Sequence, residues 1–337
     1  MPKTANEEAK AYMLAGDVGG TNTRIGLFKV EENYPVFDDI RIFSSAAYTD
    51  LESVVEEYLK NRKVRVSGAC FGIAGPVDKG KCSATNIPWK VSESDLQNAF
   101  SWPRVLLIND LAALGAATHF LKKEELFVLQ EGAQGKESHR GLIAPGTGLG
   151  MSLMIKVNDG YVPVPSEGGH MDFAPKREQE IELWRYIHHA IGHVSVERII
   201  SGPGLVNIYR WLISKNETEI PKWLEEKMKV EDPARLISEA ALSGDDPFCR
   251  QALEMFVSVL GAVAGNVALM GLTYGGIYLG GGIVPKILQV LKEENFLHSF
   301  SDKGRFSDLL KSIPVYVILN DQAALLGAAV HLYHERF

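Results

Sequence analysis

Short apolar runs bounded by glycine-rich turns open the chain and recur through it. Residues 12–16 predict a strand, GDVGG at 16–20 predicts a tight turn, and TNTRIGLFKV at 21–30 predicts a second strand because apolar and polar residues partly alternate there. A third strand is expected around 41–43, and the following segments predict helix, strand, helix, strand and a helix from Asp110. The order β-β-β-α-β-α-β-α indicates an α/β fold.

The same order of strands begins again in the second half. RGLIAPGTGLGMSLMIKV at 140–157 predicts a strand, a glycine turn and a strand, and GYVPVPSE at 160–167 can supply a third. LLINDLAALGAA at 106–117 and VILNDQAALLGAA at 317–329 are each an apolar run that reaches Asn-Asp and continues as an Ala/Leu run. We interpret this as an internal duplication with a larger insertion in the second copy. It predicts a small α/β domain from residues 1–118 with 319–337 and a large α/β domain from 119–318.

One segment resembles a membrane span by length and composition. Residues 255–285 contain no charged side chain, and this segment is long enough to cross a bilayer. Gly275–Gly276 divides the segment into a part with helical periodicity and a short strand, GIYLGG. We therefore predict a buried helix that leads into a core strand, with Gly261 and Gly265 allowing close helix packing.

Composition and charge narrow the class of protein. The chain has 337 residues, 46% of them hydrophobic and 23% charged, as in an ordinary soluble globular protein. Its net charge of −7 gives no electrostatic footprint for nucleic acid or an anionic membrane surface. The three cysteines are scattered, so the sequence predicts neither a disulfide scaffold nor a structural zinc site. The N-terminus has no apolar leader segment, and a cytoplasmic location is expected.

The glycine turns are candidate phosphate sites. The chain has no GxxxxGK[ST] motif, and GDVGGT is followed by a strand and not by the helix of a dinucleotide-binding turn. What remains is a β-hairpin whose turn offers backbone N–H groups and the hydroxyls of Thr21 and Thr23. Glycine fits there because it adopts positive φ and lets a phosphate oxygen approach. APGTGLG repeats the design with Thr147, and the two hairpins are expected to hold a nucleotide tail between the two halves.

The residue types alone leave several roles open. Asp110 and Asp321 each follow a strand and precede a helix, so each is a natural helix N-cap, although a carboxylate at such a place also suits a general base. His170 alone is compatible with a turn, and Glu197 with a charge at a helix end. Asn86, in TNIPW at 85–89, fits either a sugar contact or a structural turn.

A set of motifs resembles the bacterial glucokinase family, over about residues 13 to 333. The motifs are GDVGGTN, INDLAA, GTGLG, EGGH, ERIISGPGLVNIYR, GGIYLGGGIVP, and DKGRF followed by IPVYVI. The related ROK sugar kinases carry a cysteine-rich zinc motif after the EGGH-like stretch. Here HMDFAPKREQEIELW stands in that place without cysteine. The sequence therefore resembles the zinc-free, non-ROK branch. That family belongs to the actin/hexokinase/Hsp70 superfamily, which implies two duplicated ribonuclease-H-like domains with a nucleotide and sugar cleft between them.

The resemblance implies a mechanism and a set of residues. It implies ATP-dependent phosphorylation of glucose at the 6-hydroxyl, giving glucose 6-phosphate and ADP, with Asp110 as general base. Mg²⁺ would arrive on the nucleotide, Asp17 would hold its hydration shell, and no metal site of the protein's own is expected. A homodimer is expected on the same ground. Sugar contacts are assigned to Asn109, Asp110, Glu167, His170 and Glu197, and nucleotide contacts to Gly16, Asp17, Val18, Gly19, Gly20, Thr21, Gly146, Thr147, Gly148, Gly281 and Gly282.

Two other classes of protein compete with a kinase. A nucleotide-driven machine, such as an Hsp70-type ATPase or an actin-like filament subunit, would use the same fold. The sugar-type residues Glu167, His170 and Glu197 and the lack of a peptide-binding domain argue against it. A sugar-responsive regulator would need a DNA-binding segment, whereas only about 12 residues precede the first predicted strand. Selectivity among glucose, mannose and glucosamine and the use of a phosphate donor other than ATP stay open.

Overall fold

The computed structural model describes residues 11–31, 34–84, 87–133, 138–158 and 160–334. The chain divides into two compact units, which we treat separately. Unit 1 comprises Met1–Leu121 and Asp321–Phe337, and unit 2 comprises Lys122–Asn320. Asn86, for which the sequence left two roles open, lies outside the described residues.

The first part of unit 1 follows the predicted order, with three additional short strands before its second helix. Helix α1 begins after Asp50, whose carboxylate accepts the backbone N–H of Ser53. The third strand is much longer than the predicted segment around 41–43, because it pairs along the whole of its neighbour. The elements are β1 Ala11–Val18, β2 Asn22–Glu31, β3 Tyr34–Ser44, α1 Leu51–Leu59, β4 Arg65–Ile73, β5 Val77–Asp78, β6 Lys81–Ser83, β7 Lys90–Ser92, α2 Glu93–Phe100, β8 Val105–Asn109 and α3 Asp110–Ala117.

The main sheet of unit 1 brings three strand ends to one edge. Its order is β3-β2-β1-β4-β8, with β1, β4 and β8 parallel and the β1–β2–β3 meander antiparallel. Val18 pairs with Ile73, and Ile73 pairs with Asn109, so β1, β4 and β8 end at the same level. Polar residues at these carboxyl ends therefore become neighbours.

Unit 2 begins with a similar sheet and then adds a helical insertion. The sheet order is β12-β11-β10-β13-β14-β9, in which β10, β13 and β14 are parallel and the edge strand β9 is antiparallel. The prediction of strand, turn, strand, strand is confirmed; β9 was not predicted. The elements are β9 Leu126–Gln130, β10 Arg140–Pro145, β11 Leu149–Val157, β12 Gly160–Ser166, α4 Glu178–Ile191, α5 Gly202–Lys215, α6 Lys222–Met228, α7 Pro233–Ser243, α8 Pro247–Gly271, β13 Ile277–Leu279, α9 Leu288–Leu291, α10 Glu294–Ser301, α11 Ser307–Lys311 and β14 Val315–Ile318.

The long apolar segment is a core helix followed by a core strand, as predicted. Helix α8 is long and apolar enough to cross a membrane, but 67% of its most apolar window is buried inside the protein. A Cβ on Gly261 or Gly265 would overlap the carbonyl groups of Phe296 and Phe300 on α10. The two glycines therefore allow α8 and α10 to pack backbone to backbone.

The last helix, α12 Ala323–His334, belongs to unit 1 and packs on α3 and on β1 and β4. A Cβ on Gly327 would overlap the carbonyl group of Ala113, so α12 and α3 meet at this glycine. The helix that bears the second Ala/Leu run thus lies against the helix that bears the first.

Candidate active site

Two carboxylates come together at the carboxyl edge of the unit 1 sheet. Asp17 is the penultimate residue of β1, and Asp110 directly follows β8, two strands away. Gly72 on β4 lies between them: a Cβ there would stand 3.6 Å from the Asp110 Cα and 3.7 Å from the Gly16 oxygen. The start of α3 therefore rests directly on the sheet, with Asp110 beside Asp17.

The carboxyl group of Asp17 holds its proton to a higher pH than an ordinary aspartate does. Burial raises its pKa from 3.8 to about 6, and the negative charge of Asp110 adds to the increase. Arg24 opposes both effects because its Nη1 donates to the Asp17 Oδ2 at 3.1 Å. Sequence reasoning missed Arg24, yet the predicted hairpin contained the signal, since Asp17 and Arg24 are cross-strand partners on β1 and β2.

Asn109, and not Asp110, is the N-cap of α3. Its Oδ1 accepts the backbone N–H groups of Leu111 at 3.0 Å and Ala112 at 3.3 Å. Its Nδ2 donates to the carbonyl of Gly75 at 3.2 Å, which fixes the amide plane. Of the two roles that the sequence left open for Asp110, helix capping is therefore performed by Asn109. Asp110 is the first helical residue, and its Oδ1 accepts its neighbour's N–H, that of Leu111, at 2.9 Å.

Hydrogen bonds from Ser45, which follows β3, stabilise the β1–β2 turn. Gly19 N–H donates to the Asn22 carbonyl at 3.0 Å, while Ser45 donates its hydroxyl to the Gly19 carbonyl at 2.7 Å and its N–H to the Thr21 carbonyl at 3.0 Å. Thr21 is exposed. The predicted exposure of the Thr23 hydroxyl is wrong, since that group is buried and bonded to the Ser45 hydroxyl at 3.0 Å.

The physical reason for the glycines also differs from the expected one. No glycine of the two hairpin turns adopts positive φ, so the freedom of glycine in φ is not what these turns use. At Gly16 the space of a Cβ is filled by the ring of Phe71, and Val18 is a core residue. Gly16 and Val18 are thus buried, and the part of this hairpin that borders solvent is its turn, where Gly19 and Gly20 are half-buried.

The matching turn in unit 2 is tied to the start of a helix. Gly146 N–H donates to the Gly148 carbonyl and Gly202 N–H to the Gly146 carbonyl, both at 2.8 Å. Gly202 is the first residue of α5, whose N-cap Ser201 accepts the Gly204 N–H at 3.0 Å. Thr147 at the tip is exposed, and a Cβ on Gly146 would meet no atom within 4 Å.

Glu197 lies under this turn. Its Oε2 accepts the backbone N–H of Leu149 at 2.8 Å and would stand 2.7 Å from a Cβ on Gly148. The carboxylate is therefore fixed at the start of β11, and Gly148 leaves room for it. Sequence reasoning assigned Glu197 to the sugar and the turn to the nucleotide, and the structure brings the two together within unit 2.

The segment of Glu167 and His170 joins the segment of Glu197. A short 3-10 turn spans Gly168–His170, and both Glu167 and His170 have exposed side chains. Directly after it, the Met171 carbonyl accepts the N–H of Val196 at 2.9 Å. Two stretches about 25 residues apart in sequence thus become neighbours on one face.

Gly281 and Gly282 follow β13 and approach the end of β10. Gly280 N–H donates to the Ile143 carbonyl at 2.9 Å, and Gly281 has φ +80. A Cβ on Gly281 would overlap the Pro145 carbonyl, whereas a Cβ on Gly282 would meet nothing within 4 Å. Only glycine fits at Gly281, and Gly282 borders open space next to the 146–148 turn.

Asp321 is not placed as the second helix cap. Helix α12 begins at Ala323, so Gln322 is the residue directly before it, and Asp321 is exposed. Within the described residues, no hydrogen bond joins the Asp321 carboxylate to the helix. Among all the residues that the structure describes, there is no group of three or more His, Cys, Asp or Glu side chains that could hold a metal ion.

The comparisons with known proteins decide the family. A sequence model of the family described as Glucokinase matches residues 14–335. This chain belongs to the glucokinase family. A curated Glucokinase from Nostoc sp. is 40% identical over 336 residues, covering 94% of this chain and 98% of that protein. The coarser predictions, an α/β fold and a glucokinase that phosphorylates glucose, are therefore confirmed.

Solved structures agree at the level of the fold. A glucokinase from an Antarctic psychrotroph has a TM-score of 0.84 at 30% identity, covering 96% of this chain and 99% of that one. A ROK family glucokinase from Streptomyces griseus, solved with glucose and AMPPNP, has a TM-score of 0.64 at 20% identity, covering 96% and 99%. The second likeness concerns the fold alone, and it shows that ROK proteins share the architecture of this glucokinase-family chain.

Proposed function

We propose that this enzyme transfers the γ-phosphoryl group of ATP to the 6-hydroxyl of glucose, with Asp110 as the general base. The observation that carries the proposal is the pair of carboxylates, Asp17 and Asp110, at the carboxyl edge of the unit 1 sheet. Because Asn109 caps α3, the Asp110 carboxylate is not needed for that task. A carboxylate at such a strand end can accept the hydroxyl proton as the oxygen attacks phosphorus.

Five side chains would bind the sugar: Asn109, Asp110, Glu167, His170 and Glu197. Carboxylates, an amide and an imidazole match the paired donors and acceptors of a hexose. Asn109 retains a second amide proton beyond the one that it gives to Gly75. Glu197 retains its Oε1 beside the oxygen that accepts the Leu149 N–H. Their fixed positions favour a preorganised contact.

Two turns and a glycine pair would bind the nucleotide. Open space at Gly146 and Gly282 supports phosphate and purine contact there, and the exposed Thr21 and Thr147 offer hydroxyls. The unit 1 contacts would come from Gly16, Asp17, Val18, Gly19, Gly20 and Thr21, and the unit 2 contacts from Gly146, Thr147, Gly148, Gly281 and Gly282. The AMPPNP bound to the Streptomyces griseus glucokinase supports ATP as the donor.

The residues fit Mg²⁺ carried by the nucleotide. Mg²⁺ binds through one or two carboxylates and substrate phosphates and keeps several waters. Asp17, with a pKa near 6, would be drawn to its ionised form beside such a cation and would hold the hydration shell. When bound, the ion would neutralise phosphate charge during transfer.

We further propose that the two sheets belong to duplicated ribonuclease-H-like domains. Both sheets contain an antiparallel three-strand meander followed by two parallel strands, which supports a duplicated ribonuclease-H-like domain. Functional domains bounded at residues 118 and 318, a cleft between them, a homodimer, a cytoplasmic location and the zinc-free, non-ROK branch stay predictions. The stretch after His170 contains no cysteine, which supports that branch.

Measurement of ADP formation with and without glucose tests this proposal against the nucleotide-driven machine. We expect ATP turnover to be nearly silent without sugar, and glucose to elicit stoichiometric glucose 6-phosphate and ADP. A panel of hexoses and of phosphate donors in the same coupled assay measures selectivity. Sugar-independent ATP turnover at a rate equal to that with glucose would contradict the proposal.

A further inference from the structure

Unit 2 contains a cavity that the proposed reaction does not use. Its volume is about 460 Å³, within the range of small-molecule sites. One wall is the face of α8, and the other is the chain that follows His170. The apolar part of its lining is formed by Phe173 and by the α8 residues Val259, Val263, Val267 and Met270.

Two lysines line this apolar cavity, and Lys303 is the one that no carboxylate approaches closely. The Lys303 Nζ donates to the Ala262 carbonyl at 2.8 Å and to the Asn266 Oδ1 at 2.6 Å, both of them neutral acceptors. Its stem crosses α8 at Gly265, where a Cβ would stand 2.7 Å from the lysine Cε. The ammonium group is thus held at the cavity by backbone and amide, with no carboxylate in ion-pair distance among the described residues.

The other charged groups of the cavity are already engaged. Lys176 donates to the Asp302 carboxylate at 2.6 Å, and the buried Glu180 accepts the Lys176 backbone N–H at 2.7 Å. The Asp172 carboxylate lies 2.9 Å from the ring of His193. Lys303 is therefore the cation best placed to meet an incoming anion.

The protonation of Lys303 is consistent with that role. Burial lowers its pKa to about 8, the positive charge of Lys176 adds to the decrease, and Asp302 opposes it. The amine is thus mostly charged at neutral pH, and a bound anion would hold it in that form.

We propose that this cavity binds a small amphiphilic carboxylate, whose apolar tail lies on α8 and whose carboxylate meets Lys303. The apolar lining disfavours a purely polar occupant such as a free sugar, and the ammonium group of Lys303 favours an anionic head group. The proposal concerns unit 2 alone and does not depend on the phosphoryl-transfer chemistry.

Two residues that line the cavity are sequence neighbours of the proposed sugar-binding residues. These are Met171, which follows His170, and Val196, which precedes Glu197. The Val196 N–H donates to the Met171 carbonyl, so the two segments are joined by a hydrogen bond. An occupant that moves this link would change the affinity for glucose. This coupling rests on the proposed sugar role of His170 and Glu197, whereas binding in the cavity does not.

Calorimetric titration of the full chain with octanoate, without sugar or nucleotide, tests the site. We expect saturable 1:1 binding that Lys303→Met weakens about ten- to a hundredfold, since hydrogen bonds to charged groups have that worth. Ala262→Phe fills the cavity and should abolish binding even if Lys303→Met folds poorly. Lys222→Met, at an exposed lysine outside the cavity, is the matched control and should bind as the unchanged protein does.

Two further ligands and a kinetic arm sharpen the test. Octanol and octyltrimethylammonium should bind at least tenfold more weakly than octanoate, and octanoate binding should weaken from pH 7 to pH 9 as Lys303 loses its proton. No saturable binding, or equal binding by Lys303→Met or Ala262→Phe, would overturn the proposal. Saturating octanoate should change the KM for glucose more than that for ATP; binding with no change in either KM would overturn the coupling alone.

Discussion

The two Asn-Asp sites have the same sequence and different local structure. At the first, β8 ends at Asn109, the helix begins with Asp110, and the Asn109 side chain caps it. At the second, β14 ends at Ile318 and the helix begins only at Ala323. There the Asn320 amide donates to the Glu125 Oε1 at 2.5 Å, and Asp321 is exposed. One Asn-Asp pair is built into a strand-to-helix junction, and the other lies in the connection before its helix.

This difference explains how one repeat can hold two functions. In the first copy, the amide performs the capping and the neighbouring carboxylate stands beside Asp17 at the sheet edge. In the second copy, the residue of β10 that precedes Pro145 is Ala144, so no acidic side chain matches Asp17 there. The proposed chemistry needs a single base. The pair of carboxylates, Asp17 and Asp110, indicates that the first copy supplies it.

The largest effect is expected for Asp110→Asn. It should lower kcat by about 10²–10⁴, the usual worth of a positioned general base, while glucose and ATP binding change only a few-fold. Asp321→Asn is the matched control in the second copy and should lower kcat less than tenfold. Steady-state kinetics on folded variants measure both. Near-normal kcat in Asp110→Asn, or a thousandfold loss in Asp321→Asn, would reverse the roles of the two copies.

The next effect concerns the sugar side chains of unit 2. His170→Ala and Glu197→Gln should raise the KM for glucose about ten- to a hundredfold and change that for ATP little, because hydrogen bonds to charged or buried groups have that worth. The amide of Glu197→Gln still offers an oxygen to the Leu149 N–H, so the turn should persist. His189→Ala, at an exposed histidine on α4, is the control. A selective rise in the KM for ATP would reassign the residue to the nucleotide.

Asp17 makes the first copy sensitive to pH. Its folded pKa of about 6 exceeds its unfolded value of 3.8, so the folded state binds more protons between these pH values and loses stability as pH rises through them. Asp17→Asn cannot ionise, and its advantage in stability should grow from pH 4 to pH 7 by at most about 3 kcal/mol. Unfolding by urea at several pH values measures this advantage. A constant advantage would show that the pKa of Asp17 is the same in the folded and unfolded states, and an advantage that shrinks with pH would show that folding lowers it.

The sequence predicted the strands and helices that carry the site better than the hydrogen bonds between its side chains. Periodicity and glycine turns located the strands, and Gly261 and Gly265 correctly indicated a tightly packed core helix. The sequence did not show that Asn109 and not Asp110 caps α3, because both residue types are good caps and the choice depends on the residue at which the helix begins. The fixation of Glu197 by Leu149 was also hidden, since it joins residues 48 positions apart.

The smallest expected effects are changes in the free energy of unfolding, which should differ between the two Asn-Asp sites. Asn109→Ala removes the cap of α3 and the donor to the Gly75 carbonyl, so it should lower the free energy of unfolding by about 0.5–2 kcal/mol without any ligand. Asn109→Asp keeps an acceptor for the helix N–H groups and should recover most of that loss. Asp321→Ala should change the free energy of unfolding by less than about 0.5 kcal/mol, because the side chain is exposed and precedes the helix by two residues. Equal losses in Asn109→Ala and Asp321→Ala would mean that the second Asn-Asp pair still caps its helix in solution, and that the two copies have diverged in chemistry but not in local structure.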